Sequence, residues 1–215
     1  MVDWPNFGTN LASIPFVKQV NVIKMIHNWQ YKHSRAIFLM SQDSTKCPME
    51  CNEAETALHH LCCNSQPGTQ RPKSDLRDIR TWLRQNNTAP PLTLAVMQGI
   101  QNWISSLQPS HFPPSTNDPI ERLVDMATEE QPLIRWEEVF KGRLSTKWAE
   151  AQQTWYDSLR HNHCDLETDL PRHYMGKIGS KKIIARLIYY NLNRWQIRNE
   201  VAHAIATSEA KATFS

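Results

Sequence analysis

The sequence predicts a mostly α protein, a helical bundle with a small zinc-knuckle module near the N-terminal third. Three observations lead there. Apolar residues recur at three- and four-residue spacing in segment after segment, and none alternates convincingly with period two. Glycine is scarce, 6 in 215 residues, while tryptophan is abundant at 8, a load that suits packed helices or a partner surface. The stretch CPMECNEAETALHHLCC, residues 47–63, holds four of the five cysteines and two of the nine histidines.

The elements follow in order. Residues 1–15 read as a loop, broken by Pro5, Gly8 and Pro15. From Phe16 to Phe38, Val20, Ile23, Met25, Ile26 and Trp29 fall near helical spacing and give one helix or two short ones. The Cys/His segment occupies 41–66, and Pro67, Gly68 and Pro72 mark a break. A helix is expected over Ser74–Arg84, with Ser74 as its N-cap and Leu76, Ile79 and Leu83 as its apolar pattern. Asn86 to Pro91 stops it. Leu92–Leu107 places Leu94, Met97, Ile100, Trp103, Ile104 and Leu107 on one face. Residues 108–119 hold four prolines and read as a linker. A short helix over Ile120–Thr128 is capped by Asp118, with Pro119 at its first position. A longer helical region covers 134–160, weakened at Gly142. Residues 161–176 are polar and irregular, and a last helix covers 177–206. Two domains follow: an N-terminal helix plus knuckle module over 1–66, and a helical domain over 67–215.

Composition bounds the function. The net charge of +3 is mildly basic and is not that of a dedicated nucleic-acid binder. Local clustering says more: Arg71, Lys73, Arg77, Arg80 and Arg84 form one basic stretch, and Lys177, Lys181, Lys182, Arg186, Arg194 and Arg198 another. Either is a solvated helix face or a face that tracks phosphates. No apolar run approaches the ~18 residues of a membrane span, and the N-terminus does not read as a secretory signal. An intracellular protein, in cytoplasm or nucleus, is expected. Its thiols would stay reduced, which favours metal binding over disulfides.

The spacing in the Cys/His segment is Cys47-x3-Cys51-x7-His59-x3-Cys63. Structural zinc takes four S or N ligands in a tetrahedron, two from a tight turn and two from a helix one turn apart. Cys47 to Cys51 can form the turn, and Glu53 to Cys63 contains good helix formers. Leu58, Leu61 and Cys62 share an apolar face, which turns Cys62 toward the core and makes His59 and Cys63 the preferred ligands. His59 paired with Cys62 stays open. Four protein ligands leave no position for catalysis, so the zinc would be structural.

This segment resembles the C-P-x-C…E-T-x-x-H-x-L-x-C zinc-binding segment that follows the polymerase domain in reverse transcriptases of retrotransposons. Cys47, Pro48, Cys51, Glu55, Thr56, His59, Leu61 and Cys63 carry the match, with one extra residue between the first two cysteines. IKMIHNW (23–29) resembles the K-x-x-H-x-W-L helix before it, although the usual Leu-Pro-Thr-Gly is replaced by Gln30 to His33. IRWEEVFKGRLSTKWAEAQQTWY (134–156) resembles an I-G-W-x-x-x-F-x-G-R-x-S-x-x-W-x-x-x-Q block, and LNRWQIRNEVAH (192–203) a terminal W-x-x-R-N-x-x-x-H. The resemblance implies a zinc-stabilised, all-helical region of a retroelement polyprotein, or a gene derived from one. It implies handling of RNA or DNA beside a reverse transcriptase domain, with no catalytic centre in this chain. The Tyr-x-Asp-Asp turn of a polymerase is absent from the sequence, and Asp165, Glu167 and Asp169 read as solvated charges. In this reading Arg71, Lys73, Arg77, Arg80, Arg84, Lys181, Lys182 and Arg186 are the candidate phosphate contacts.

Two other readings stand beside it. RNEVAH (198–203) also resembles the R-x4-H motif of the HEPN superfamily, all-helical proteins that often cleave RNA without metal. Arg198 would then hold a phosphate, Asn199 would assist, and His203 would be the acid/base. The third reading is a purely structural interaction domain. His161, His163 and Cys164 read as a polar loop, and the tryptophans at 82, 103, 136, 148, 155 and 195 as core.

Overall fold

The computed structural model describes residues 1–29, 46–49, 51–63, 65–105, 118–162 and 175–213, and over 66–75 and 205–213 the backbone alone. Its helices are α1 (Trp4–Ser13), α2 (Phe16–Ile26), α3 (His59–Cys62), α4 (Gln66–Gln85), α5 (Pro90–Ile104), α6 (Pro119–Ile134), α7 (Thr146–Asn162) and α8 (Gly176–Thr213), with a 3₁₀ helix over Trp136–Lys141. Among the described residues no strand forms. The only β pairings are isolated bridges, Val2 with Ser145 and Lys46 with Ala54. The fold is mostly α with a small Cys/His module, as the periodicity requires.

The chain forms two compact units. One comprises Met1–Pro15 and Leu76–Ile188, the other Phe16–Asp75 and Tyr189–Ser215. The unit boundaries fall between α1 and α2, inside α4 and inside α8.

In the first unit α6 packs along α7, and α5 packs on both and on the 3₁₀ helix. Asp118 caps α6 as expected, its carboxylate accepting from the Ile120 N–H at 2.7 Å beside Pro119. The helix then runs past Thr128 to Ile134, because Val124, Ala127 and Gln131 continue its buried face. The helical region expected over 134–160 is split. Arg135 adopts φ 85° and ends α6, the 3₁₀ helix follows, and Gly142 at φ 86° turns the chain into α7.

Gln131, fully buried, organises this corner. Its Oε1 accepts from the Ser145 N–H and from Trp148 Nε1, both at 3.1 Å, and its Nε2 donates to the carbonyls of Arg135 and Arg143. Glu138 pairs with the buried Lys141 and with Arg143. The conspicuous residues of 134–156 are therefore turn and core residues: Trp148 and Phe140 are core, and Gln152 spans from α7 to the α4–α5 loop. Trp136 lies over Gly99 of α5 so closely that a Cβ there would sit 2.0 Å from the indole. Gly99→Ala is expected to cost about 1–3 kcal/mol by overpacking, read as a lower urea midpoint.

α1 and α4 differ from the sequence expectation. Residues 4–13 form a helix, not a loop, because Asp3 accepts from the Asn6 N–H and Pro5 occupies the first turn. α4 begins at Gln66, eight residues before the expected Ser74. Pro67 falls in the first turn, where a missing N–H leaves nothing unpaired, and Pro72 removes one interior hydrogen bond without ending the helix. The supposed linker, apart from Asp118 and Pro119, lies outside the described residues. So do Phe38, His163, Cys164, Asp165, Glu167 and Asp169.

Candidate metal centre

The second unit holds the Cys/His module. Lys46 and Ala54 bridge antiparallel, the Cys47 N–H donates to the Glu53 carbonyl at 2.9 Å, and Asn52 takes φ 63° at the tip. This makes a tight knuckle from 46 to 54. Only His59–Cys62 is helical, against the helix expected over 53–63, since the knuckle spends the backbone of Glu53 and Ala54 on its own pairing. Cys63 has already left the helix, at φ −59°, ψ 128°.

Cys47, Cys51, His59 and Cys63 nevertheless converge. One ligand atom from each lies within 4.8 Å of all the others, and this set could hold a metal ion. Cys47 Sγ and Cys63 Sγ stand 3.8 Å apart, and Cys51 Sγ and His59 Nε2 3.1 Å apart. Two thiolates at ~2.3 Å from a tetrahedral zinc are separated by about 3.8 Å, so the sulfur pair already has that spacing. None of the four described cysteines is in a disulfide. The extra residue in Cys47-x3-Cys51 is absorbed in the knuckle, and Cys63, not Cys62, completes the set.

Surrounding groups orient the ligands. The Met49 N–H donates to Cys47 Sγ at 3.4 Å, and Ser65 Oγ lies 3.3 Å from Cys63 Sγ. The Glu53 carboxylate stands 3.8 Å from His59 Nδ1, the ring nitrogen turned away from the sulfurs. The contact between Cys47 and Cys63 moves the two thiols in opposite directions. Hydrogen bonding from Cys47 pulls the Cys63 thiol down to about 3, while the same contact and burial push Cys47 up. Burial raises Cys51 as well. Cys62, outside the set, is pushed up to about 11, first by burial.

One stripe of α8 braces the module. Asn191, Arg194, Arg198 and Val201 recur every three or four residues on one helical face. Asn191 Oδ1 meets His60 Nε2 at 2.7 Å, so His60 is a buried strut and not a ligand. Arg194 donates from Nη2 to the His60 carbonyl at 3.2 Å. Val201 packs against the Cys47–Met49–Cys63 cluster. Arg198 is 1% exposed and grips the equally buried Glu55 through Nε and Nη2, both at 2.5 Å, while Nη1 donates to Asn199 Oδ1. A bidentate guanidinium–carboxylate pair of this kind is the strong form of the interaction. For Arg198 to hold a substrate phosphate, the phosphate would have to displace Glu55. His203 is exposed.

The basic residues divide by environment. Arg77, Arg80 and Arg84 are exposed on α4, with no ion pair or hydrogen bond to a described residue. Lys182 is exposed and Lys181 half-buried on α8, and the Arg186 guanidinium lies 5.9 Å over the Trp82 ring. These belong to the first unit. Arg194 and Arg198, read with them as one basic face, are buried instead. The side chains of Arg71 and Lys73 lie outside the described set.

No family model, curated protein or solved structure matches the chain. No described helix is long and apolar enough to cross a membrane.

Proposed function

We propose that this chain is a zinc-stabilised, non-catalytic nucleic-acid-binding region of the retroelement reverse-transcriptase type. The observation that carries the reading is the Glu55–Arg198 pair beside the Cys47–Cys51–His59–Cys63 set. Glu55 belongs to the E-T-x-x-H part of the resemblance and Arg198 to the W-x-x-R-N part, 143 residues apart in sequence. Their pairing gives both blocks one purpose, which is to brace a metal knuckle. That supports a common origin for them. Zinc suits three thiolates and an imidazole in a closed tetrahedral set, a structural rather than a catalytic arrangement.

Nucleic acid would meet the first unit, which carries Lys182, Arg186 and the exposed Arg77, Arg80 and Arg84, these last three with no hydrogen bond or ion pair to a described residue. Such contacts release counterions, and each phosphate neutralised steepens the dependence of log K on log salt by about 0.7–0.9. A triple change of Arg77, Arg80 and Arg84 to Gln is expected to flatten that slope by about two units and to weaken RNA and DNA alike, measured by fluorescence anisotropy across a salt series. An unchanged slope would remove α4 from the interface. Salt-independent behaviour of the unaltered chain would favour the structural interaction domain.

A further inference from the structure

A cleft of about 390 Å³ opens in the first unit, walled by α4, the start of α5 and α7. That is within the roughly 300–1,000 Å³ of pockets that take small ligands. Its walls divide by chemistry. Leu94, Trp155 and Leu159 make an apolar side, and Leu94 is 57% exposed. Arg80 and Arg84, one turn apart on α4, line the other side, and neither has a hydrogen bond or ion pair with a described residue. Thr93, also in the wall, is 4% exposed, and its buried hydroxyl has no partner among the described residues, a rarity in folded proteins.

One feature makes the cleft a built site. Gln152 pins its rim: Oε1 accepts from the Ala89 N–H and Nε2 donates to the Asn87 carbonyl, both at 2.9 Å. The wall is thus ordered before any ligand arrives, which lowers the entropy lost on binding. α5 also begins here, with no acidic residue in its first turn. Pro90 and Pro91 fill its first two positions and carry no N–H, so the positive charge at the cleft is that of the two arginines.

We propose that the cleft seats one unpaired nucleotide of a single strand, its base against Trp155 and its phosphate on Arg80 and Arg84. One cleft lined by an indole and by two guanidinium groups matches a flat aromatic joined to a phosphate. Arginine takes phosphate oxygens in bidentate fashion, and an indole takes any base by stacking. The strand rests on the nucleic-acid reading above; the nucleotide pocket itself does not.

The test uses the full chain, a labelled short single strand of RNA, the matching duplex, and adenosine monophosphate, phenyl phosphate and inorganic phosphate as competitors. Variants are Trp155→Ala, Arg80→Gln with Arg84→Gln, and Arg77→Gln as an exposed cation outside the cleft. Trp155→Ala is expected to weaken single-strand binding about ten-fold while leaving the duplex unchanged. Arg77→Gln should weaken both equally. Adenosine monophosphate should compete well and inorganic phosphate poorly, and the arginine pair, being exposed, keeps the test open should Trp155→Ala misfold. Single-strand affinity indifferent to both cleft variants overturns the proposal and leaves the phosphate-tracking surface standing. Stronger competition by phenyl phosphate than by the nucleotide overturns the nucleotide assignment. Mononucleotide binding lost in the arginine variant, without strand binding, upholds the pocket and refutes the nucleic-acid reading.

Discussion

A zinc-loaded chain given a strong chelator will lose the ordered knuckle over residues 46–63. Apart from the contacts that Asn191, Arg194, Arg198 and Val201 of α8 make with it, little else holds the described part of that segment. It contains one bridge, a few backbone hydrogen bonds and the four-residue α3, far below the length at which a helix stands alone. Structural zinc in small modules binds with about 10–16 kcal/mol of apparent free energy near neutral pH, and that free energy is also folding free energy. Amide exchange should therefore rise across 46–63 on chelation. Cys63→Ser should abolish stoichiometric metal, whereas Cys62→Ser should retain it, because Cys62 lies outside the ligand set. The pH dependence has a defined sign. Cys47 and Cys51 are both raised above the ordinary thiol value and must lose their protons to bind metal, while Cys63 is already held as thiolate. Near pH 8, zinc binding should release about two protons. Affinity should then climb about a hundred-fold per pH unit and fall as steeply with acid. Calorimetry in buffers of different ionisation enthalpy counts the protons. Release of three would show that Cys63 is an ordinary thiol before metal arrives.

The ligand set was legible because metal chemistry restricts residue type and spacing together, and Cys47, Cys51, His59 and Cys63 satisfy both. The local path to it was not. Glu53 to Leu58 are adequate helix formers, but pairing of Lys46 with Ala54 overrides that propensity, and no local pattern announces the bridge. Arg135 is similar: a left-handed arginine ends α6 for reasons of tertiary packing around Gln131, whereas Gly142 seven residues on was visible as a weak point. The burial of the α8 arginines is hidden from the sequence for another reason. A count of cations along the chain treats Lys182, Arg194 and Arg198 alike. Only the stripe Asn191–Arg194–Arg198–Val201, polar residues in register with a partly buried valine, distinguishes the buried pair from the exposed lysine. That register was in the sequence, but its partner surface, Glu55 and the His60 carbonyl, is more than a hundred residues away.

Glu55→Gln and Arg198→Met will each destabilise the second unit by about 3–5 kcal/mol, because each leaves one buried charge without its counter-charge. The double variant Glu55→Gln with Arg198→Met should recover most of that loss, since it leaves no buried charge without its counter-charge. Urea melts of the four chains, read in the second unit by exchange protection, measure the coupling. The same set separates a brace from a catalytic cation. If Arg198 served RNA cleavage, freeing it by Glu55→Gln would leave or raise the cleavage rate, and His203→Ala would abolish it. If Arg198 is a brace, Glu55→Gln lowers metal affinity and stability together, and His203→Ala, changing an exposed side chain, leaves both alone. Arg198→Lys adds a geometric test, because a single ammonium cannot reproduce two parallel bonds to one carboxylate. A lysine that restored full stability would mean that charge alone holds Glu55. A lysine as harmful as methionine would mean that the fork itself closes α8 on the knuckle.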